Sequence, residues 1–149
     1  MGNYKVKCAV GKRGIATKKK EGDLITPKGK FKIKYILYRK DRVYSLKTKI
    51  KKIIIKKDMG WCNDSASQKY NKLIRFPSRY SAEKLYRSDN SYDIILVLDF
   101  NFKPIIKSKG SAIFIHVAKK NYKNTAGCVA LQKKDLRNLI KFINTKTII

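Results

Sequence analysis

The sequence predicts a mostly β domain with short helices. Short apolar or alternating segments recur along the chain, separated by Gly, Pro, Asn and Ser residues, which is the pattern of strands joined by turns. The longest apolar run, in residues 92–99, is typical of a central strand buried on both faces. Only two stretches have helical spacing. One of them, residues 133–143, is predicted to form an amphipathic C-terminal helix that closes the core.

The composition favours a folded chain with a strongly basic surface. A length of 149 residues fits one domain, 1–149, with one core that needs no disulfide or metal to fold. Hydrophobic residues make up 43% of the chain and aromatic residues 11%, which excludes a disordered chain. The net charge is +27, and we expect a non-specific attraction to polyanions such as nucleic acid, anionic lipid or cell wall.

Two strands are predicted near the N-terminus. Residues 4–10 alternate Tyr, Val and Cys with lysines, which indicates a half-buried strand with Cys8 on its apolar side. Residues 31–37 alternate in the same way and are predicted as a second strand with a charged outer face. The polar stretch between them, residues 17–30, contains glycines and a proline and is predicted as a loop.

The middle of the chain is predicted as short strands, a loop and a helix. Residues 44–46 and 50–55 are rich in aromatic and β-branched residues, and we expect the second of these strands to be buried on both sides. Residues 60–65 are predicted as a loop because Gly, Asn and Asp cluster there. Residues 82–87 are predicted as a short helix with Ser81 as its N-cap.

The C-terminal third contains the residues with the most distinctive chemistry. After a predicted loop at 101–110, the apolar residues 113–117 form a strand that includes His116, the one histidine of the chain. Cys128 follows a glycine and precedes a second apolar run, so it is expected at a turn that leads into a strand. Two neighbouring strands would bring these residues together as a thiolate nucleophile and its base. The alternative is an inert core histidine beside a buried thiol.

Small residues precede both candidate residues. Ser111 and Ala112 come before the histidine strand, and Thr125, Ala126 and Gly127 come before the cysteine. Small residues let the backbone approach a substrate and direct amide N–H groups at one point, as an oxyanion site requires.

Four sequence blocks resemble a known enzyme family. Residues 22–31 read G-D-L-I-T-P-K-G-K-F, residues 61–64 read W-C-N-D with Y-N at 70–71, residues 110–116 read G-S-A-I-F-I-H, and residues 125–131 read T-A-G-C-V-A-L. In this order they resemble the short, single-domain YkuD-type L,D-transpeptidases, cysteine enzymes of bacterial cell-wall peptidoglycan. The resemblance covers nearly the whole chain and implies a YkuD-like mixed β-sandwich with its cleft above the cysteine loop.

The resemblance implies a covalent mechanism that needs no cofactor. Cys128 would attack an amide carbonyl of a peptidoglycan stem peptide and form a thioester acyl-enzyme, which an amine acceptor then resolves by cross-linking or D-amino-acid exchange. His116 would transfer the protons. The N–H groups of Cys128 and of Gly127 or Ala126 would stabilise the oxyanion, while a backbone carbonyl from Ser108 to Ser111 or the Thr125 hydroxyl would orient the imidazole. Contact between the two side chains and the field of the lysines favour a thiolate–imidazolium pair.

The other blocks are expected to shape the substrate cleft. The candidate substrate-binding residues are Asp23, Trp61, Asp64, Tyr70 and Asn71. A single Trp in a loop is more often an anchor on the edge of the core than a platform for ligands, so both roles are open for Trp61.

Two positions depart from the family pattern. Many members have a second histidine two residues before the cysteine and an arginine two residues after it, where this chain has Ala126 and Ala130. A substrate carboxylate that the arginine would bind must therefore be bound by another residue or not at all.

Other functions are compatible with the same residues. If water replaces the amine, the site is an L,D-carboxypeptidase. A basic β domain that binds nucleic acid would use Tyr and Phe residues interleaved with lysines, although lysine suits specific recognition less well than arginine. A papain-like protease is disfavoured because no cysteine stands in the papain context ahead of the histidine. Because Ala130 stands where many members have an arginine, a further alternative is a module that binds the cell wall without enzymatic activity.

The cysteine pattern and the termini give expectations about compartment. Three cysteines without a C-x-x-C pair disfavour a metal site. With Cys128 as nucleophile, Cys8 and Cys62 are left for a disulfide in an oxidising compartment, two buried thiols being the simpler account. No transmembrane segment or signal region is visible in the sequence. The cell envelope or periplasm is expected from the resemblance, with the cytoplasm as the alternative; the oligomeric state is open.

Overall fold

The structure, a computed structural model, describes residues 4–149. Its elements are mostly strands, with one α-helix near the C-terminus. In chain order they are β1 (Cys8–Ala9), β2 (Ile15–Ala16), β3 (Thr26–Pro27), β4 (Ile33–Tyr38), β5 (Lys52–Ile54), β6 (Met59–Cys62), β7 (Leu73–Arg75), β8 (Ala82–Lys84), β9 (Ile94–Leu98), β10 (Phe114–Val117), a 3-10 turn η1 (Lys120–Tyr122), β11 (Val129–Leu131) and α1 (Lys133–Phe142). The predicted mostly β class is confirmed.

A six-stranded mixed sheet forms the centre, in the order β1-β11-β10-β9-β4-β5. The pairs β4/β5 and β10/β11 are parallel and the other neighbours are antiparallel. A three-stranded sheet, β7-β6-β8, and the pair β2/β3 complete the β structure of the described residues. The architecture agrees with the predicted mixed β-sandwich.

Both faces of the central sheet are covered. On one face, Ile94 and Leu96 of β9 pack in a core that includes Leu136 of α1. On the other face, Ile95 packs in a second core that includes Trp61 of the three-stranded sheet. Because successive residues of a strand point to opposite faces, a strand between two cores must be apolar throughout. The prediction of residues 92–99 as the central strand is confirmed.

The predicted strand at 31–37 is confirmed as β4, and Lys34 is exposed as predicted, but the strand has no continuous charged face because residues 36–38 are all buried. The register shifts between Ile33 and Tyr35, where a β-bulge leaves Lys34 without a partner. Ile33 therefore belongs to the core beside α1, whereas Leu37 belongs to the core beside the three-stranded sheet. A strict alternation of faces would put Ile33 and Leu37 on the same face. The bulge adds one residue between them and so places them on opposite faces.

The strand predictions at the edges of the sheet were partly wrong. Residues 4–10 contribute only β1, in which Cys8 is exposed and Ala9 is buried, the reverse of the predicted alternation. Residues 44–46 form no strand, because Ser45 has a left-handed backbone with φ +53°. Residues 50–55 contain β5, but Ile54 is 38% exposed because β5 is an edge strand rather than one buried on both sides.

Two further segments have a different secondary structure from the predicted one. Residues 60–65 were predicted as a loop, but their first half belongs to β6, the middle strand of its sheet. Residues 82–87 were predicted as a helix capped by Ser81, but they begin with β8, where Glu83 pairs with Trp61. Helix-forming residues are strand residues here because pairing with β6 allows Leu85 to be fully buried in the core.

The C-terminal elements agree with the sequence. The helix predicted at 133–143 is confirmed as α1, which buries Leu136 and Ile140. The tail returns to the sheet, where Lys32 and Ile148 form an antiparallel bridge. No helix within residues 4–149 has both the length and the apolar character that crossing a membrane requires.

Candidate functional site

Cys128 and His116 line the same cavity, whose volume is about 480 Å³. The cavity opens where β10, β11 and their connection meet the 17–25 loop and β8. Charged residues from four segments also line it: Lys18, Glu21, Glu83, Arg87, Lys119 and Lys123.

The pairing of β10 with β11 places the two candidate residues on one face. The strands are parallel, and His116 lies beside Ala130. Cys128 precedes Ala130 by two residues and therefore points to the same side. On the neighbouring strand, the Phe114 N–H donates to the Cys128 Sγ at 3.4 Å. The predicted strand at 113–117 and the predicted position of Cys128 before a strand are both found.

The Cys128 thiol points at a backbone carbonyl rather than at the imidazole. Its Sγ donates to the Ala112 carbonyl at 3.1 Å, and within residues 4–149 it forms no hydrogen bond with His116. Burial raises the pKa of the thiol to about 12, and the nearby carboxyl of Glu83 also raises it. The Phe114 N–H and the Lys18 charge act in the opposite direction but do not compensate.

The imidazole is also held in its neutral form. Burial lowers the pKa of His116, which is 8% exposed. The expected thiolate–imidazolium pair is therefore not the resting state, because the cost of burying charge exceeds the favourable field of the lysines. In the free protein the pair is a thiol and a neutral imidazole.

A backbone carbonyl orients the imidazole. The His116 Nδ1 lies 3.0 Å from the Val117 carbonyl oxygen, and since a carbonyl can only accept, Nδ1 carries the proton. The other nitrogen, Nε2, is then the basic one. The edge of the Tyr92 ring packs against the imidazole at 5.3 Å between centroids. A carbonyl from Ser108 to Ser111 or the Thr125 hydroxyl had been expected in this role, but the described residues show no hydrogen bond between either and the ring.

Thr125 instead shapes the turn that carries Cys128. Its hydroxyl donates to the Cys128 carbonyl at 2.6 Å and accepts the Gly127 N–H at 3.1 Å. The Gly127 N–H is therefore already engaged. Among residues 4–149, the N–H groups of Ala126 and Cys128 donate to no other residue, so they are the two amides of the predicted set that are free to bind an oxyanion.

Gly127 is required by the close approach of another loop. Its φ is +143°, and a Cβ atom at this position would lie 2.9 Å from the Ile25 carbonyl oxygen. Ile25 is in turn held by Asp23, whose carboxylate accepts the Ile25 N–H at 3.1 Å.

Asp23 fixes the 17–25 loop and does not line the cavity. Its carboxylate forms a buried ion pair with Lys18 at 2.6 Å and also accepts the N–H groups of Lys19 and Lys20. Burial by itself raises the pKa of Asp23, but the bonds from Lys18 and from the backbone outweigh it, so the pKa is lowered. Its carboxylate is thus fully engaged within the protein, where direct substrate binding had been expected.

Trp61, Tyr70 and Asn71 lie behind the cavity wall rather than in its lining. Each is at most 2% exposed. The Asn71 Oδ1 accepts the Trp61 Nε1–H at 3.0 Å and the Ala112 N–H at 3.1 Å. The Ala112 carbonyl in turn accepts the thiol of Cys128, so this sequence block is linked to the thiol through the two hydrogen bonds of one residue, Ala112.

Tyr70 and Asp64 support neighbouring loops. The Tyr70 hydroxyl donates to Glu21 and accepts the Gly110 N–H at 2.9 Å. Asp64 accepts the N–H groups of Ala66 and Ser81. Neither of these two residues lines the cavity, so none of the five expected substrate-binding side chains does so.

Glu83 and Tyr92 are cavity residues that were not predicted from the sequence. The carboxylate of Glu83 accepts the Tyr92 hydroxyl, and both residues line the cavity. Glu83 was placed on a helix by its neighbours, and Tyr92 was assigned to a strand without a role. The rarity of acids in this chain, 10 against 37 basic residues, was the available signal for Glu83.

The other two cysteines of the chain are not bonded to each other. Cys8 is exposed and Cys62 is buried, and both are free thiols, so the disulfide alternative is not present. Within residues 4–149 no group of three or more His, Cys, Asp or Glu side chains could hold a metal ion.

Comparison with known proteins yields one family. The model of the YkuD family, described as the L,D-transpeptidase catalytic domain, matches residues 2–149. No curated protein and no solved structure matches the chain.

Proposed function

The chain belongs to the YkuD L,D-transpeptidase catalytic-domain family, and from that premise we propose that it is a peptidoglycan acyltransferase with Cys128 as nucleophile. The observation that carries the proposal is the shared cavity of Cys128, His116 and two unengaged amide N–H groups. A nucleophile, a base and oxyanion donors are the parts that acyl transfer needs.

In the first step, Cys128 forms a thioester with the donor stem peptide. The thiol rotates away from the Ala112 carbonyl, and its proton passes to the His116 Nε2. The sulfur attacks the amide carbonyl carbon, and the N–H groups of Ala126 and Cys128 stabilise the oxyanion. The C–N bond then breaks, and the proton on His116 passes to the departing amine of the D-amino acid.

In the second step, an amine acceptor resolves the thioester. The His116 Nε2 takes a proton from the attacking amine, a new C–N bond forms and the C–S bond breaks. The sulfur leaves as a thiolate and regains the proton from the imidazolium. Attack by water in place of the amine would release the shortened peptide and make the protein an L,D-carboxypeptidase.

The buried motif residues support this chemistry from behind. We assign Asn71 a positioning role, because it binds the N–H of Ala112, the residue whose carbonyl accepts the hydrogen bond of the resting thiol. Ala112 has φ +54°, a conformation that costs an alanine free energy and so needs such support. Asp23 acts in the same way on the other side, through Ile25 and Gly127.

The proposal extends to partners and place of action. Peptidoglycan stem peptides are the substrates, one domain over residues 1–149 acts on them, and the cell envelope is where they occur. The net charge of +27 gives in addition a salt-sensitive, non-specific attraction to the anionic polymers of that environment.

Mass spectrometry of tetrapeptide muropeptides tests the proposal. The protein and its Cys128→Ala variant are incubated separately with the substrate. We expect loss of the terminal D-alanine together with a joined dimer, and neither with the variant. Loss without a dimer would indicate the carboxypeptidase. If the muropeptides and the intact mass of the protein stay unchanged with both proteins, a cysteine acyltransferase that uses tetrapeptide donors is excluded.

A further inference from the structure

Glu83 is a cavity carboxylate that the proposed mechanism does not use. It lies on β8 opposite Trp61, lines the cavity together with Cys128 and accepts the hydroxyl of Tyr92. The ring of Tyr92 packs against His116. Glu83 is therefore connected to the candidate base through a single side chain.

The negative charge of Glu83 disfavours the nucleophile. It adds to burial in raising the pKa of Cys128, and the second cavity acid, Glu21, is close enough to raise the pKa of Glu83, for which burial is the main cause. Two basic side chains of the cavity form ion pairs with other acids: Arg87 binds both carboxylate oxygens of Asp89, and Lys18 is paired with Asp23. Arg87 lowers the pKa of Glu83 and Lys18 lowers that of Cys128, but both pKa values stay raised. The cavity thus contains two acids, of which Glu83 opposes ionisation of the Cys128 thiol.

An unsatisfied hydroxyl lies in the same part of the cavity. Ser111 is 7% exposed and lines the cavity, and its Oγ has no hydrogen-bond partner among residues 4–149. It is nevertheless near the Tyr70 hydroxyl, which is bonded to Glu21. A buried hydroxyl without a partner costs free energy, and a ligand with N–H donors would satisfy it.

We propose that Glu83 and Glu21, with the Ser111 hydroxyl, bind an ammonium group of the substrate, and that this binding activates Cys128. The proposal rests on the proposed function and specifies its substrate as a peptide whose diamino acid carries a free ammonium group. An ammonium between the two acids cancels the charge that opposes thiolate formation. Substrates without it bind to a cavity in which the thiol stays protonated.

Other titratable or charged groups also line the cavity, and the experiment must separate their effect on the thiol from that of Glu83. They are Lys18 and Glu21 from the 17–25 loop, Arg87 from the segment after β8, Tyr92, His116, and Lys119 and Lys123 from the connection between β10 and β11. Substituting Glu83 by Gln removes one charge and retains an acceptor for the Tyr92 hydroxyl. Glu83→Asp retains the charge and serves as the conservative control.

The test is the rate at which iodoacetamide alkylates Cys128 at a fixed alkaline pH. Peptide mass spectrometry follows Cys128 separately, with the exposed Cys8 as the internal reference. The probes are N-acetyl-lysine amide and N-acetyl-norleucine amide, which have similar length but differ in the ammonium group. Any steric protection by the probe is similar for both, so the ratio of the two rates reports the charge.

We expect the lysine probe to accelerate alkylation several-fold relative to the norleucine probe. In Glu83→Gln we expect a basal rate about tenfold higher, from a Coulomb interaction that shifts the thiol pKa by about one unit, and a probe ratio of one. Glu83→Asp should retain much of the ratio. Glu21→Gln should reduce the ratio, and it gives a second variant should Glu83→Gln fail to fold, as judged by its melting temperature.

The ammonium site is overturned if folded Glu83→Gln keeps the native basal rate and the native probe ratio. If only Glu21→Gln folds, the same result in that variant overturns it. This assay needs no transpeptidation. A probe effect without muropeptide processing would therefore support the ammonium site and exclude the tetrapeptide reaction. Muropeptide processing without a probe effect would support the reaction and exclude the ammonium site.

Discussion

Replacing Asn71 by Ala removes four hydrogen bonds from behind the wall of the cavity. The side chain accepts from the Trp61 Nε1–H and the Ala112 N–H and donates to the carbonyls of Phe100 and Asn101. Each buried donor left without an acceptor costs about 1–3 kcal/mol, so the two donors together cost about 2–6 kcal/mol. At this chain length that lowers the melting temperature by roughly 5–20 °C.

The same substitution should change the environment of Cys128, the proposed nucleophile. Without Asn71, nothing holds the N–H of Ala112, and its left-handed backbone relaxes. The Ala112 carbonyl then moves from its 3.1 Å contact with the Cys128 thiol. We expect Cys128 to be alkylated several-fold faster in the folded variant, while transfer between muropeptides falls by at least tenfold because the nucleophile is no longer fixed.

Trp61→Phe is the matched control for this experiment. It removes one donor but leaves the bond between Asn71 and Ala112 intact, so its expected cost is about 1–2 kcal/mol and Cys128 should be alkylated at the native rate. Thermal unfolding by circular dichroism and peptide-level alkylation measure the two effects. If Asn71→Ala changes neither quantity more than Trp61→Phe does, Asn71 does not position the thiol.

Three further predictions follow from the turn, the ion pair and the thiol. Gly127→Ala should destabilise the fold by about 2–4 kcal/mol, from backbone strain and overlap with the Ile25 carbonyl. Gly14→Ala, with φ +81° and open space, should cost only about 1 kcal/mol; equal melting temperatures would refute the overlap. Asp23→Asn should cost about 3 kcal/mol because it leaves the buried ammonium of Lys18 without a counter-charge. The pKa of Asp23 is lowered in the folded protein. The stability it contributes is therefore present above its unfolded pKa, near 4, and is lost as the pH falls through the lower folded value. Urea unfolding at pH 7 and pH 3 should show that Asp23→Asn loses less stability on acidification than the native protein does. Finally, because the pKa of Cys128 is raised to about 12, its alkylation rate in the free protein should rise throughout pH 7–10, and a plateau below pH 9 would contradict the resting thiol.

Local patterns in the sequence determined the centre of the fold. A strand between two cores is apolar at every position, a helix on one core has apolar residues at a spacing of three and four, and turns before short strands contain glycine. Residues 92–99, 113–117 and 133–143 were therefore predicted correctly, together with the turn before Cys128. The four sequence blocks also identified the family.

Tertiary structure decided the features that depend on residues far apart in the chain. Residues 82–84 are a strand because β6 pairs with them, and the face that Ile33 presents depends on a bulge against β9. Neither partner can be recognised from the local pattern. Pairing energy between strands exceeds the small propensity differences of single residues, so the helix prediction failed there.

The roles within the site were likewise decided by contacts. Asp23, Trp61, Tyr70 and Asn71 carry the motifs, yet their side chains bind loops and one another rather than lining the cavity. Glu83 lines the same cavity as Cys128 only because a second sheet folds over the first. Burial also decided the charge states of the two side chains. It holds Cys128 as a thiol and His116 as a neutral imidazole despite a net charge of +27. Desolvation acts on a buried group more strongly than screened surface charges do.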